Sequence, residues 1–413
     1  AAFFGNPSEE LALVGITGTN GKTTTSYVLE AIFEAAGVRC GRIGTVTYRI
    51  GAREFDAPRT TPEAPDVQQM LREMVSQGCR ACVMEVSSHA LSLRRVDRSR
   101  FAAAVFTNLT RDHLDFHGDM ESYFAAKRRL FEMLPAGAVG VVNLDDPRGA
   151  AMAAAAQRPV SYAIDAPADV HPGPMALSID GLTFDIRTPR GTLHARSRLV
   201  GRPNAYNILA AAAAAVALDL PFSAIEAGIA ALQHVPGRFQ VVSDPADAVR
   251  VIVDYAHTDD ALRNLLDTAR PLTGGRVITV FGCGGDRDRT KRPLMGAVAA
   301  RLSDLVIVTS DNPRSEDPAR IIEEIRRGIL MPADRTPPKG QGAGPAATPS
   351  LAIVDRREAI EKAIREARAG DLVLIAGKGH EKYQVIGDRT LPFDDVEIAG
   401  AALARRRAGS RVS

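Results

Sequence analysis

Excess charge is the first thing the sequence lacks. Its 51 Lys and Arg nearly balance 49 Asp and Glu, a net +2 over 413 residues. That leaves no bulk field to gather nucleic acid or an anionic membrane surface. Long apolar runs are missing too, since none approaches the ~18 residues of a membrane span. The first residues show no basic-then-apolar secretory leader. Cysteine is scarce: Cys40, Cys79, Cys82 and Cys283 are too few and too scattered for a disulfide framework, which suits a reducing cytoplasm. "CRAC" (79–82) has no second pair to complete a zinc site, and Cys82 opens an apolar run, so buried thiols are expected.

What is present is a globular composition, 45% hydrophobic and 24% charged. The length exceeds one ordinary core, and two domains of about 150–200 residues are expected. In the first half, "LALVGITG", "ACVMEVS", "AAAVFTNL" and "AVGVVNLD" read as strands, with a helix from Lys22 to Ala36. Unbroken apolar runs alternating with helices predict a mostly parallel sheet covered on both faces. "SIDGLTFDIRTPRGTLHARSRLVG" alternates polar and apolar residues around Gly181 and Gly191, which predicts an antiparallel ribbon added to that sheet. An alanine-rich helix follows. After "QHVPGRFQ" the pattern restarts with "VRVIVDYA", "RVITVFG", "DLVIVTS", "SLAIVD" and "DLVLIAG", so a second α/β unit is expected. Pro236-Gly237 is the natural hinge, dividing 1–236 from 237–413. Residues 332–350, crowded with proline and glycine, read as a surface loop.

"GITGTNGKTTTS" (15–26) stands between a strand and a helix. It is not a strict Walker A loop, because Ile16 occupies the first glycine position. Gly18, Thr19, Asn20 and Gly21 can still present backbone N–H groups to phosphate, Lys22 can reach a terminal phosphate, and Thr23 and Thr24 follow at the helix N-terminus. Thr23 can ligate Mg²⁺ through its hydroxyl. Glu85 ends a buried strand at the edge where ligands gather in open α/β sheets, and its carboxylate suits Mg²⁺ or, more plainly, a helix cap. In "ESYFAAKRRLFEML", Tyr123, Lys127, Leu130, Phe131 and Leu134 share one helical stripe, which places a lysine on an apolar face. That lysine either snorkels or, as a neutral amine, becomes a carbamate with two oxygens for a metal. His113 and His117 stand four apart, but Leu114 breaks the zinc motif H-E-x-x-H. "GCGGDR" and "GKGHEK" lack the last glycine of a dinucleotide fingerprint.

Together the segments "GTNGKTT", "EVSSHAL", "TNLTRDHLDFHG", "YFAAKRRLF", "GRPNAYNILAA", "PGRFQ", "VDYAHTDDALRNLL", "GCGGDRDRTKRPLMG", "TSDNPRSEDP" and "GKGHE" occur in the order seen in the Mur ligases. The sequence resembles that family from Phe3 onward, most nearly its MurE type. The resemblance implies an α/β fold: a central P-loop ATPase-like sheet with the added ribbon, and a C-terminal Rossmann-like α/β domain. It also implies an ATP- and Mg²⁺-dependent ligase of bacterial cytoplasmic peptidoglycan precursor synthesis, acting as a monomer. Its substrates would be UDP-MurNAc-L-Ala-D-Glu and meso-diaminopimelate, joined through an acyl phosphate.

By the same resemblance Lys127 is a carbamylated lysine, Glu85 and His113 hold one magnesium, and Thr23 holds another. Thr60, Thr61, Ser87 and Arg95 fall on the muramoyl-peptide substrate, although turn and cap chemistry explains them equally. Asn204, Asn207, Arg238, Asp254 and His257 fall on the nucleotide. Arg287, Asp311, Asn312, Pro313, Arg314, Gly377 and Glu381 fall on diaminopimelate. Arg314 offers a planar fork for the distal carboxylate, which lysine as substrate would lack. The family has a further small N-terminal domain for the uridine nucleotide, and the sequence is expected to lack it. The competing expectations are a lysine-adding enzyme, a folylpolyglutamate-synthase-like ligase, a nucleotide-driven switch and an inactive nucleotide-binding module.

Overall fold

The computed structural model describes residues 1–330 and 348–410. The stretch expected as a surface loop, 332–350, lies outside the described residues except for its last three. The chain divides into two compact units, Ala1–Val235 and Pro236–Ser413.

The first unit opens with β1 (Ala12–Thr17), α1 (Lys22–Ala35), β2 (Cys40–Ile43), β3 (Thr47–Ile50) and β4 (Arg53–Asp56). It continues through α2 (Ala64–Ser76), β5 (Ala81–Glu85), α3 (Ser88–Ser92), β6 (Ala103–Phe106) and α4 (Leu114–His117). Then come α5 (Met120–Glu132), β7 (Val139–Asn143), α6 (Gly149–Ala153) and β8 (Pro159–Tyr162). A ribbon of β9 (His171–Ser178), β10 (Gly181–Thr188) and β11 (Gly191–Ser197) leads to α7 (Arg202–Ala217) and α8 (Phe222–Ala231).

Eight strands form one sheet in the order β4-β3-β2-β5-β1-β6-β7-β8, parallel except for the β3–β4 edge. Its central strands are buried on both faces, as their unbroken apolar sequences require. One face packs against α1 and α7, whose alanines 210–215 are all fully buried and let the helix lie close. The other face packs against Leu71 and Met74 of α2 and Tyr123, Leu130 and Phe131 of α5. The antiparallel ribbon is present, but it forms a three-stranded sheet of its own, β11-β10-β9. The physical reason is its inward stripe of Leu182, Phe184, Ile186, Leu193 and Ala195, which joins the core beneath α7 and α8.

The second unit contains β12 (Gln240–Val241), β13 (Arg250–Asp254), α9 (Asp259–Ala269), β14 (Val277–Phe281), α10 (Lys291–Leu302) and β15 (Leu305–Val308). It ends with α11 (Pro318–Leu330), β16 (Ser350–Ala352), α12 (Arg356–Glu366), β17 (Leu372–Ala376), β18 (Tyr383–Ile386), β19 (Arg389–Pro392) and α13 (Asp395–Ser410). Six strands form a sheet ordered β12-β13-β17-β14-β15-β16, all parallel but β12. Register aligns the strand ends: Asp254 and Phe281 both pair with Ala376, and Phe281 with Val308. The loops that follow β13, β14, β15 and β17 therefore leave along one edge, the ligand edge of such sheets.

Candidate active site

Strand β1 delivers the chain to the glycine-rich loop, with Ile16 paired to Glu85 and Thr17 to Phe106. Gly18 (φ 148°) and Gly21 (φ 88°) hold backbone conformations that other residues rarely adopt. A Cβ on Gly18 would lie 1.8 Å from Thr107 Oγ1, and one on Gly21 would lie 2.4 Å from Asn207 Oδ1. The loop is also pinned from outside. Thr19 N–H donates to the Asn108 carbonyl and Asn20 N–H to Asn108 Oδ1, both at 2.9 Å. Thr107 donates to the Asn20 carbonyl at 2.6 Å, and Thr19 Oγ1 lies 3.1 Å from the Tyr123 hydroxyl.

This rigid cradle opens on the N-terminus of α1, whose first amides have no intrahelical acceptor and which favours an anion. Lys22, the first residue of α1, donates to the carbonyls of Gly18 and Thr19 at 2.9 and 2.8 Å. Thr23 and Thr24 are buried in the first turn. Asn207 donates to Asn204 Oδ1 at 3.0 Å, so this pair braces the loop from α7.

Glu85 is fully buried at the end of β5. Its Oε2 accepts from the hydroxyls of Thr23 (3.0 Å) and Thr45 (2.8 Å), and its Oε1 from Thr45 N–H (2.8 Å). Hydroxyl and carboxylate oxygens thus meet beside the phosphate cradle, a donor set that fits Mg²⁺. Lys127 reaches the loop from α5. It is 1% exposed, donates to the Gly18 carbonyl at 2.8 Å, and sits 4.5 Å from the Tyr123 ring centre. Burial, reinforced by the nearby Lys22 ammonium, holds its pKa well below the usual lysine range.

His113 precedes α4 with φ 54° and so lies outside the helix its spacing to His117 suggested. Its ring packs on His89 (4.9 Å between centres), which also packs on His117 (5.5 Å). Desolvation, aided by the Lys22 and Lys127 charges, keeps His113 neutral below the usual histidine range. Among the described residues no group of three or more His, Cys, Asp or Glu side chains is arranged to hold a metal. Nor does a hydrogen bond or ion pair link Glu85 to Lys127 or His113 there.

Thr60, Thr61, Ser87 and Arg95 gather around the end of β5. Thr60 Oγ1 lies 3.1 Å from Thr45 Oγ1, and Thr61 donates to the Glu85 carbonyl at 2.9 Å. Ser87 caps α3 by accepting from Ala90 N–H at 3.1 Å. Arg95 donates to the Thr61 carbonyl at 3.2 Å and pairs with Glu63 at 2.7 Å. Its Nε is buried and, among the described residues, has no hydrogen-bond partner.

In the second unit Asp254 ends β13 and accepts from Phe239 N–H (2.6 Å) and Ala256 N–H (2.8 Å). Burial raises its pKa against the opposing pull of Arg238. Arg238 lies over the Tyr255 ring at 4.5 Å, and Tyr255 also packs on His257 (4.6 Å) and His380 (5.0 Å).

Farther along the same edge, the loops after β15 and β17 interlock. Asn312 Nδ2 donates to Glu381 Oε2 at 2.8 Å, and Gln384 Nε2 donates to the Asp311 carbonyl at 2.7 Å. A Cβ on Gly377 would lie 2.7 Å from Asp311 Oδ2. Pro313 is buried, with its carbonyl 1.9 Å from where a Gly285 Cβ would stand. Arg314, at φ 50°, donates to the Gly285 carbonyl at 2.8 Å. A Cβ on Gly284 would lie 3.0 Å from Arg314 Nη1 and 3.7 Å from the exposed Arg287 Cγ, so both arginines flank that glycine.

Sequence reasoning passed over several members of these clusters. Thr45 completes the shell of Glu85, and Thr107 and Asn108 hold the loop, although "TNL" at the end of a strand was a visible polar signal. Lys378 links Asn312 to Glu381 from inside "GKGHE". The four cysteines are free and buried, as expected. No helix among the described residues is long and apolar enough to cross a membrane.

Two family models match the chain: the Mur ligase middle domain over residues 16–215 and the Mur ligase glutamate ligase domain over residues 237–379. The chain belongs to the Mur ligase family. It is thus an ATP-dependent acid–amino-acid ligase by family. A UDP-N-acetylmuramoyl-L-alanyl-D-glutamate--2,6-diaminopimelate ligase of Geobacter metallireducens is 52% identical over 414 residues, 97% of this chain and 80% of that relative. The protein of that name from Bacillus licheniformis is 46% identical over 409 residues, 97% of this chain and 80% of that relative. A solved structure of a ligase with the same name is 37% identical, with a TM-score of 0.68, over 96% of this chain and 79% of that one. Mycobacterium tuberculosis folylpolyglutamate synthase, at 18% identity and TM-score 0.69 over 99% of this chain and 93% of that one, shares the fold.

Proposed function

We propose that this Mur ligase adds meso-2,6-diaminopimelate to UDP-MurNAc-L-Ala-D-Glu with ATP, in bacterial cytoplasmic peptidoglycan precursor synthesis, and that it works as a monomer. A carboxylate is a poor electrophile, so the D-glutamyl side-chain carboxylate first takes the terminal phosphoryl group of ATP, releasing ADP. An amine of diaminopimelate then attacks the acyl phosphate. Phosphate leaves, a proton is lost from the nitrogen, and an amide remains. Both steps need the reacting atoms held together and water kept out more than they need covalent help from the protein.

The Gly18–Gly21 cradle and Lys22 bind and orient the triphosphate, and Asn204, Asn207, Arg238, Asp254 and His257 serve the nucleotide. Thr23 would hold one Mg²⁺, and Glu85 and His113 a second, with Lys127 as the carbamylated lysine beside them. Bound there, the metal supplies charge neutralisation for phosphoryl transfer. Lys127 suits its part because a neutral amine is the form that combines with CO₂, giving an N–C bond and releasing a proton. Thr60, Thr61, Ser87 and Arg95 orient the muramoyl dipeptide.

The observation that carries the reading is the interlocked rim of Asp311, Asn312, Arg314, Gly377 and Glu381, with Arg287 beside it. Carboxylates for an ammonium and a guanidinium fork for a second carboxylate are what a diamino diacid requires and lysine does not. ADP release in the presence of UDP-MurNAc-L-Ala-D-Glu is the test, run with diaminopimelate, lysine or glutamate as the amine. Diaminopimelate should be preferred by about tenfold or more. Equal rates with lysine, or ADP release without an amine, would refute the proposal.

A further inference from the structure

We infer that Lys378 is the positioning residue of the amine-binding rim, holding Glu381 by one carboxylate oxygen so that the other is presented to an ammonium of the substrate. The inference rests on the reading of this rim as a diamino-acid site.

Lys378 is fully buried, and its ammonium donates to Asn312 Oδ1 at 3.0 Å and Glu381 Oε2 at 3.2 Å. Asn312 Nδ2 donates to the same Glu381 Oε2 at 2.8 Å, while Asn312 Oδ1 also accepts from Val385 N–H at 3.0 Å. Oε2 thus takes both donors. Oε1 takes no hydrogen bond among the described residues, and the Glu381 side chain keeps 19% of its surface exposed. The carboxylate is fixed at one end and available at the other.

A buried ion pair is a poor way to stabilise a fold, since apolar side chains of similar volume do as well. The same unit shows what a structural pair looks like. Arg356 and Asp395, both fully buried, tie α12 to the start of α13. Lys378 instead joins two loops at the ligand edge, and its partners are a residue beside Asp311 and a carboxylate open to solvent. The ammonium also sets the Asn312 amide, since Oδ1 must face Lys378 and Nδ2 must then face Glu381.

Steady-state kinetics on Lys378→Met, Lys378→Gln, Glu381→Gln and the Lys378→Met/Glu381→Gln double variant test this. Each hydrogen-bond acceptor of Lys378 keeps a second donor, so Lys378→Met should fold. Should it lack a cooperative melt, Lys378→Gln, which keeps a donor without the charge, gives the same comparison. Lys378→Met is expected to raise KM for diaminopimelate about tenfold, with KM for ATP within about twofold. In the Glu381→Gln background the same change should add little, because Lys378 acts through that carboxylate. An unchanged amine KM, parallel rises in both KM values, or full additivity would overturn the inference. If the wild-type protein prefers another amine, its KM replaces that of diaminopimelate, so substrate identity and the role of Lys378 are read separately.

Discussion

Lys127 and Lys378 are both buried, and both reach loops that leave the carboxyl edge of a parallel sheet, but their partners differ. Lys127 has a backbone carbonyl, an aromatic face and a nearby Lys22, and among the described residues it has no carboxylate within ion-pair distance. Lys378 has a carboxylate and an amide oxygen at hydrogen-bond distance. The first environment favours a neutral, nucleophilic amine; the second holds its nitrogen between two acceptors. Burial alone does not decide the role of a lysine. Its partners do.

The largest expected effect falls on the neutral lysine. Lys127→Met should lower ligation by about 10³-fold or more, the scale seen when a charge-stabilising group is lost from phosphoryl or acyl transfer. In CO₂-free buffer the same variant should melt at a higher temperature near neutral pH. The sign follows from linkage. The folded pKa is depressed, so the unfolded chain binds the extra proton between that value and the ordinary ~10.4, and wild-type stability rises with pH across that window. The advantage of Lys127→Met should therefore shrink as pH approaches 10, and thermal melts across pH check it. With ¹³C-bicarbonate, a carbamate resonance should appear in the wild-type protein and be absent from Lys127→Met.

Next comes the guanidinium fork. Arg314→Lys keeps the charge and loses the bidentate geometry, and should cut the preference for diaminopimelate over lysine by about 10-fold to 100-fold, measured as a ratio of kcat/KM. Glu85→Gln keeps the shape but removes charge from the oxygen cluster at Thr23. It should raise the Mg²⁺ concentration needed for half-maximal rate by about tenfold, leaving the amine preference intact.

The smallest effect is spectroscopic. Burial, helped by Arg238, His257 and Lys378, lowers the His380 pKa to about 3. Its ring should show no titration between pH 5 and 8 by NMR. Because the unfolded chain protonates first, His380 contributes to a loss of stability as pH falls from about 6.5 toward 3.

Much of this was legible in the sequence for physical reasons. "LALVGITG" followed by "TNGKTT" reads as a buried strand feeding a glycine-rich turn at a helix N-terminus, which is what forms, and the helical stripe through Tyr123, Lys127 and Phe131 put the lysine on the buried face. The short strands β3, β4, β18 and β19 escaped, because strands such as "REFD" and "RTLP" carry exposed, polar sequence and form only by pairing with a neighbour. The four-residue spacing of His113 and His117, already without the zinc motif, is not that of a helical pair, since the positive φ at His113 starts the helix after it. The independent sheet of the ribbon and the burial of Lys378 are tertiary facts. No local pattern marks which lysine of "GKGHEK" turns inward.

The decisive measurement on this enzyme is the amine panel. With UDP-MurNAc-L-Ala-D-Glu, ATP and Mg²⁺ present, ADP release should depend on meso-diaminopimelate and yield an amide product carrying it. Release that is indifferent to the amine, or faster with lysine, would contradict the proposed function.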